Sequence, residues 1–97
     1  MISNQSILQL KRPQIMQIAA RNGVKRVRVF GSVARGADDA QSDIDLLVDL
    51  APDRSLLDLG KFLYEIRLLL DRDVDVVTEK GLKRRIRERV LAEAVEL

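Results

Sequence analysis

Gly31-Ser32-Val33-Ala34-Arg35-Gly36, followed five residues later by Ser42-Asp43-Ile44-Asp45-Leu46-Leu47-Val48, is the stretch on which the reading of this chain turns. From Asp43 to Leu50 it is the most apolar part of the sequence, closed by Ala51-Pro52-Asp53, and reads as a buried central strand. Asp43 and Asp45 lie two apart, so their carboxylates share one face with Cα atoms about 6.6 Å apart. Ile44, Leu46 and Val48 point the other way. Two readings of the acidic pair are open. It is the solvated end of a strand, or it holds one or two divalent cations, because like charges on a buried strand are costly unless something positive compensates. Gly31-Ser32 stands where a strand ends and a turn begins. Glycine there lets a phosphate approach the backbone, the amides that follow attract anions, and the Ser32 hydroxyl adds a donor. An ordinary strand-to-helix turn has the same composition.

Upstream, Val24 to Phe30 sets Val24, Val27 and Val29 against Lys25, Arg26 and Arg28, which predicts a strand. Before it come Ile7, Leu8, Leu10, Ile15, Ile18 and Ala19, interrupted by Pro13. Proline fits the first turn of a helix from about Arg12 to Arg21, with Asn22-Gly23 as its stop. Leu8, Leu10, Ile15 and Ile18 either cover the sheet or form a surface for a homo-oligomer or another partner. Residues 31–41 are small and polar, with a short helical turn beginning at Ser32.

Downstream, Ser55 and Asp58 form the pattern of a capping box. Leu56, Leu59, Leu63, Ile66 and Leu70 follow at helical spacing and predict a helix over 55–70. Asp73 to Thr78 reads as a short strand. Leu82, Ile86, Val90 and Ala94 mark a final helix, roughly 81–96. The order implies a small α/β domain, 1–97, with a three-stranded mixed sheet packed against helices.

Asp75 lies inside Val74-Asp75-Val76-Val77. If its strand neighbours residues 43–50, Asp75 completes a three-carboxylate cluster able to share a metal and to accept the proton of an attacking hydroxyl. Asp73 shares its face but follows Asp71-Arg72 and belongs to the turn, so Asp75 is preferred.

Composition removes several alternatives. The 97 residues contain no cysteine and no histidine, which excludes disulfides, thiol nucleophiles, histidine bases and most transition-metal sites. A metal here is held by carboxylates, which favours Mg²⁺ or Mn²⁺. The chain is 46% hydrophobic and 33% charged, a globular balance. Only Phe30, Phe62 and Tyr64 are aromatic, too few for a base-stacking platform. A net charge of +2 and the absence of a helix-turn-helix pattern give little support to a nucleic-acid partner. No apolar run reaches membrane-spanning length and the start does not resemble a signal peptide, which points to the cytoplasm. Lys80, Lys83, Arg84, Arg85, Arg87 and Arg89 form either a solvated helix face or a patch for phosphate or a partner.

Taken together, GSVARG, SDIDLLV and VDVV resemble, in order and spacing, the signature of the DNA polymerase β-type nucleotidyltransferase superfamily, and most closely its stand-alone minimal nucleotidyltransferases, the MntA-like antitoxins. The match runs from residue 24 to the last helix. The resemblance implies that Gly31 and Ser32 hold the β- and γ-phosphates of an NTP. It implies that Asp43, Asp45 and Asp75 bind two Mg²⁺ ions, and that an acceptor hydroxyl attacks the α-phosphorus as pyrophosphate leaves. Arg35 matches the ARG form of the turn and either helps neutralise the triphosphate or braces the loop. Ser42 matches the family pattern and is read as structural. By the same resemblance the donor is ATP and the partner is an all-helical HEPN toxin, modified with AMP on a tyrosine. The competing expectations are a non-catalytic antitoxin that blocks its toxin by contact, and nucleotidyl transfer to RNA or a small molecule.

Overall fold

In the computed structural model, which describes residues 2–37 and 42–97, two helices precede the first strand. The Ser3 hydroxyl accepts the Ser6 N–H at 3.0 Å and caps α1, Asn4–Leu10. Pro13 occupies the first turn of α2, Arg12–Arg21, where no amide hydrogen is needed. Leu8, Ile15 and Ile18 are buried while Leu10 is exposed. Leu8, Ile15 and Ile18 therefore belong to the core that covers the sheet, and Leu10 does not.

Asn22 ends α2, and Gly23, at φ +71°, turns the chain into β1, Val24–Phe30. The valines at 24, 27 and 29 cannot share a face of a regular strand, because their spacing mixes three with two. A shift of register between Val24 and Arg26 resolves this: Lys25 is the extra residue of a bulge, and all three valines reach the core. Arg28 departs from the expected polar alternation. It is buried, with its guanidinium 3.1 Å from Glu79 and 3.6 Å from Asp49.

The short helix α3, Gly31–Arg35, ends at Gly36 in the left-handed region. The polar loop expected over 31–41 is described as far as Ala37; residues 38–41 lie outside the described residues. β2, Ile44–Leu50, begins one residue later than expected, so Asp43 sits just before the strand. The capping box of Ser55 and Asp58 forms as predicted and starts α4, Leu56–Leu70. Phe62, Ile66 and Leu70 are its buried residues, whereas Leu56, Leu57, Tyr64 and Leu68 face outward. Asp71, at φ 52°, turns the chain into β3, Val74–Val77. Among the described residues no helix is long and apolar enough to cross a membrane.

The last segment corrects the sequence expectation. Instead of one helix over 81–96, a 3₁₀ turn at Glu79–Gly81 precedes α5, Arg84–Glu93, and Val95–Glu96 form a fourth strand, β4. Leu82 and Ala94, counted as helix-stripe residues, both adopt extended backbone at the two boundaries. The open edge of β1 supplies hydrogen-bond partners that a further helical turn would leave unused. The sheet is thus four-stranded, in the order β3-β2-β1-β4. β1 pairs antiparallel with β2 and β4, and β2 pairs parallel with β3 through the α4 crossover.

The two faces of the sheet differ. Val27, Val29, Ile44, Leu46, Val48 and Val74 join residues of α1, α2 and α4 in one core. Register puts Arg28, Phe30, Asp45, Leu47, Asp49 and Asp75 on the opposite face. Leu47 and Val90 of α5 are buried there, outside the main core cluster.

Candidate active site

Hydrogen-bond register assembles the candidate residues. In the antiparallel pair Phe30 lies opposite Asp45, and in the parallel pair Asp45 lies opposite Asp75. Residues paired across neighbouring strands share a face about 4.8 Å apart. Asp45 therefore stands between the strand that leads into Gly31 and the strand that carries Asp75. Asp73 is placed otherwise. It precedes β3, and its carbonyl accepts the Ile44 N–H at 3.0 Å, so its backbone closes the start of the sheet. Asp43 lies just before β2 and is exposed.

Gly31 has φ +73°, and a Cβ placed on it would stand 2.4 Å from Asp45 Oδ2. Both facts call for glycine: the left-handed backbone disfavours a side chain, and the Asp45 carboxylate already fills the space. The Gly-Ser turn and the acidic strand are thus one packed unit. Ser32 follows on α3, half-buried, and its carbonyl accepts the Ala37 N–H at 2.9 Å. Gln5 of α1 donates to the Val33 carbonyl at 2.7 Å, which ties α3 to the N-terminal helix.

The electrostatics focus on Asp45. Burial pushes its carboxyl from 3.8 up to about 6; the nearby Asp75 and Asp43 carboxylates push the same way, Arg35 opposes them, and Glu93 adds a little more. A half-buried carboxylate among like charges gains more from a nearby cation than an exposed one does. The donor set is hard oxygen with no nitrogen or sulfur, which fits Mg²⁺ or Mn²⁺. Among the described residues, however, no three acidic groups are already gathered into a metal-binding cluster. Asp75 is exposed, with a carboxylate oxygen 4.0 Å from Arg67 Nη2. The register aligns Asp45 with Asp75; the side chains of Asp43 and Asp75 would have to close around an ion.

Arg35 does not reach out alone. Its Nη1 donates to Glu93 at 3.2 Å (Oε1) and 3.1 Å (Oε2), which is the bracing contact. Glu93 also accepts the Gly31 N–H at 2.7 Å. Sequence reasoning missed Glu93, because nothing in the spacing of α5 links it to a turn 62 positions away. It likewise missed Asn4. This buried side chain donates to the Ser42 carbonyl at 3.2 Å and accepts from Arg72 at 2.5 Å. Asn4 thereby fixes the entries to β2 and β3 against each other. Its only signal in the sequence is a polar residue inside an apolar helix, which is weak.

Comparison with known proteins identifies the family and the fold. The profile of the family described as nucleotidyltransferase domain matches residues 13–97. A protein of Methanocaldococcus jannaschii named as a protein adenylyltransferase, MJ0435, is 40% identical over 92 residues, covering 95% of this chain and 98% of its own. A solved structure described as a minimal nucleotidyltransferase superposes with a TM-score of 0.86 at 44% identity, over 98% of this chain and 97% of that one. A more distant neighbour has a TM-score of 0.66 at 21% identity and covers 91% of this chain and 69% of that chain. Its structure is of a tri-AMPylated Shewanella oneidensis HEPN toxin in complex with an MNT antitoxin.

Proposed function

The chain belongs to the nucleotidyltransferase domain family, and on that premise we propose that it transfers AMP from ATP to a hydroxyl of a partner protein. The carrying observation is the alignment of Asp75 with Asp45, whose carboxylate is seated against Gly31. That arrangement brings an acidic pair and the glycine turn within one side chain of each other.

In this reading Gly31, Ser32 and Arg35 receive the triphosphate, and Asp43, Asp45 and Asp75 would hold two Mg²⁺ ions, which would supply charge neutralisation to the reacting phosphate when bound. The remaining work falls to the chain. The Gly31–Arg35 turn orients the triphosphate so that the α-phosphorus faces the acceptor. Asp75, on the edge strand and exposed, accepts the proton of the attacking hydroxyl. The new bond forms between acceptor oxygen and α-phosphorus, and pyrophosphate departs. Positioning and electrostatics dominate such phosphoryl chemistry.

For the acceptor, a tyrosine of a cytoplasmic HEPN toxin fits best, with this chain as its antitoxin. The name of the 40%-identical relative and the composition of the AMPylated toxin complex support a protein acceptor and a toxin partner; the tyrosine rests on the family resemblance. The test is label transfer in source-cell extract with Mg²⁺, comparing ATP labelled at the α- and at the γ-phosphate. We expect α-label on a protein near the size of a small helical toxin and none with Asp43→Asn. Label from the γ-position, or no transfer at all, overturns nucleotidyl transfer; α-label on RNA keeps the chemistry and replaces the acceptor.

A further inference from the structure

We propose that Glu93 is a positioning residue for nucleotide binding, setting the Gly31 turn and the Arg35 guanidinium from the far end of the chain. The inference rests on the reading that this turn receives the triphosphate. Glu93 is the last residue of α5, and its side chain is 19% exposed. Oε1 accepts both the Gly31 N–H (2.7 Å) and Arg35 Nη1 (3.2 Å), while Oε2 also accepts from Arg35 Nη1 (3.1 Å). One carboxylate thus grips both ends of α3, a helix of five residues.

The grip is itself anchored. The Ala94 N–H closes α5 on Val90 O at 2.9 Å, Val95 pairs with Val29, and the Leu97 N–H donates to Val27 O at 3.1 Å. The backbone just after Glu93 is therefore registered against the strand that runs into Gly31. The position of the carboxylate relative to the turn is fixed from both sides. Phe30, at the N-cap of α3, makes no capping hydrogen bond, so Glu93 supplies the oxygen that the first amide of the turn needs. Among the described residues Arg35 reaches Glu93 through Nη1, so this contact orients the guanidinium.

The opposite role is a like-charge gate that a triphosphate must displace. The two roles predict effects of opposite sign. The test uses the full chain with ATP and Mg²⁺, reading ATP affinity by calorimetry, kcat and KM in the transfer assay, and the Gly31 amide resonance by NMR without nucleotide. For Glu93→Ala we expect ATP affinity to weaken about tenfold, as loss of hydrogen bonds to a charged group implies. KM for ATP rises in parallel, kcat at saturating ATP changes less than about threefold, and the Gly31 amide proton moves upfield. Glu93→Gln keeps one acceptor oxygen for the Gly31 N–H but sets an amide NH2 where Oε2 meets Arg35 Nη1, so it restores part of the affinity and leaves it between Glu93→Ala and wild type.

Unchanged or tighter ATP binding in Glu93→Ala overturns the proposal, and tighter binding in both variants establishes the gate instead. If Glu93→Ala does not fold, Glu93→Asp, one methylene too short to span both partners, must show the same weakening; wild-type affinity there overturns the proposal. Wild-type protein that binds no ATP sinks the proposed function, whereas equal binding by wild type and Glu93→Ala sinks only the role of Glu93.

Discussion

Asp45→Asn lowers nucleotide transfer about a thousandfold or more and, in the absence of metal, raises the melting temperature by a few degrees. The two effects have one origin. The carboxylate is pushed up to about 6 because it is partly desolvated and faces Asp75 and Asp43. Those features strengthen its attraction for a divalent cation, and several kcal/mol of charge stabilisation corresponds to about three orders of magnitude in rate. Without a cation they are a cost to the fold, which the neutral amide removes. The dependence on pH has a definite sign. The unfolded carboxyl titrates near 3.8 and the folded one near 6, so between those values the folded state binds the proton more readily, and this group's contribution to stability falls as pH rises. The melting advantage of Asp45→Asn is therefore largest above pH 6 and shrinks as pH falls toward 4. Thermal melts in EDTA at several pH values, beside the transfer assay, check both arms. Mg²⁺ should raise the melting temperature of the wild type and leave the variant nearly unmoved. Substantial transfer by Asp45→Asn would remove it from the metal site.

Gly31→Ala combines a backbone cost with a steric one. At φ +73° an alanine loses about 1–2 kcal/mol from its conformation alone. Its Cβ would also meet Asp45 Oδ2 at 2.4 Å and Asp45 Cγ at 3.3 Å. Asp45 cannot retreat along the sheet, because it is held opposite Phe30 and Asp75. Its carboxylate must swing away from the turn, or the turn must move and take Ser32 with it, and either change breaks the packing of the two. We expect a fall in melting temperature of about 10 °C, as about 2 kcal/mol produces in a domain of this size, and loss of detectable ATP binding. The double variant Gly31→Ala/Asp45→Gly separates the two costs. Removing the opposing carboxylate restores the steric part of the stability and leaves the backbone part, with no recovery of transfer. A single variant of wild-type stability would show that the turn does not need glycine.

How much of this was legible in the sequence depends on the range of the interaction. Pro13 at the start of α2, the capping box of α4 and the acidic strand were readable because each is set by neighbours within a few residues. Asp75 was chosen over Asp73 by the same local logic, and the register places it level with Asp45. The fourth strand was not readable: Val95 and Glu96 continue a helical pattern, and only the open edge of β1 makes them extended. Arg28 reads as a surface cation because charge says nothing about Glu79 and Asp49, which lie far along the chain and accept it. Asn4 and Glu93 escaped for the same reason. Each acts on a backbone group in another element, and such partners leave no periodicity.

The contacts that complete the turn also fix when it can exist. α2 and α4 are built from local contacts, which form early. The grip on Gly31 requires Glu93, and Val29 meets Val95 across most of the chain, closures that carry the largest entropy cost. During refolding, helical signal should therefore return before affinity for ATP. On the ribosome the order is stricter still. A nascent chain carries all three aspartates while the Gly31 turn still lacks its Glu93 contact, and in the proposed reading the nucleotide site is complete only when residues 93–95 emerge.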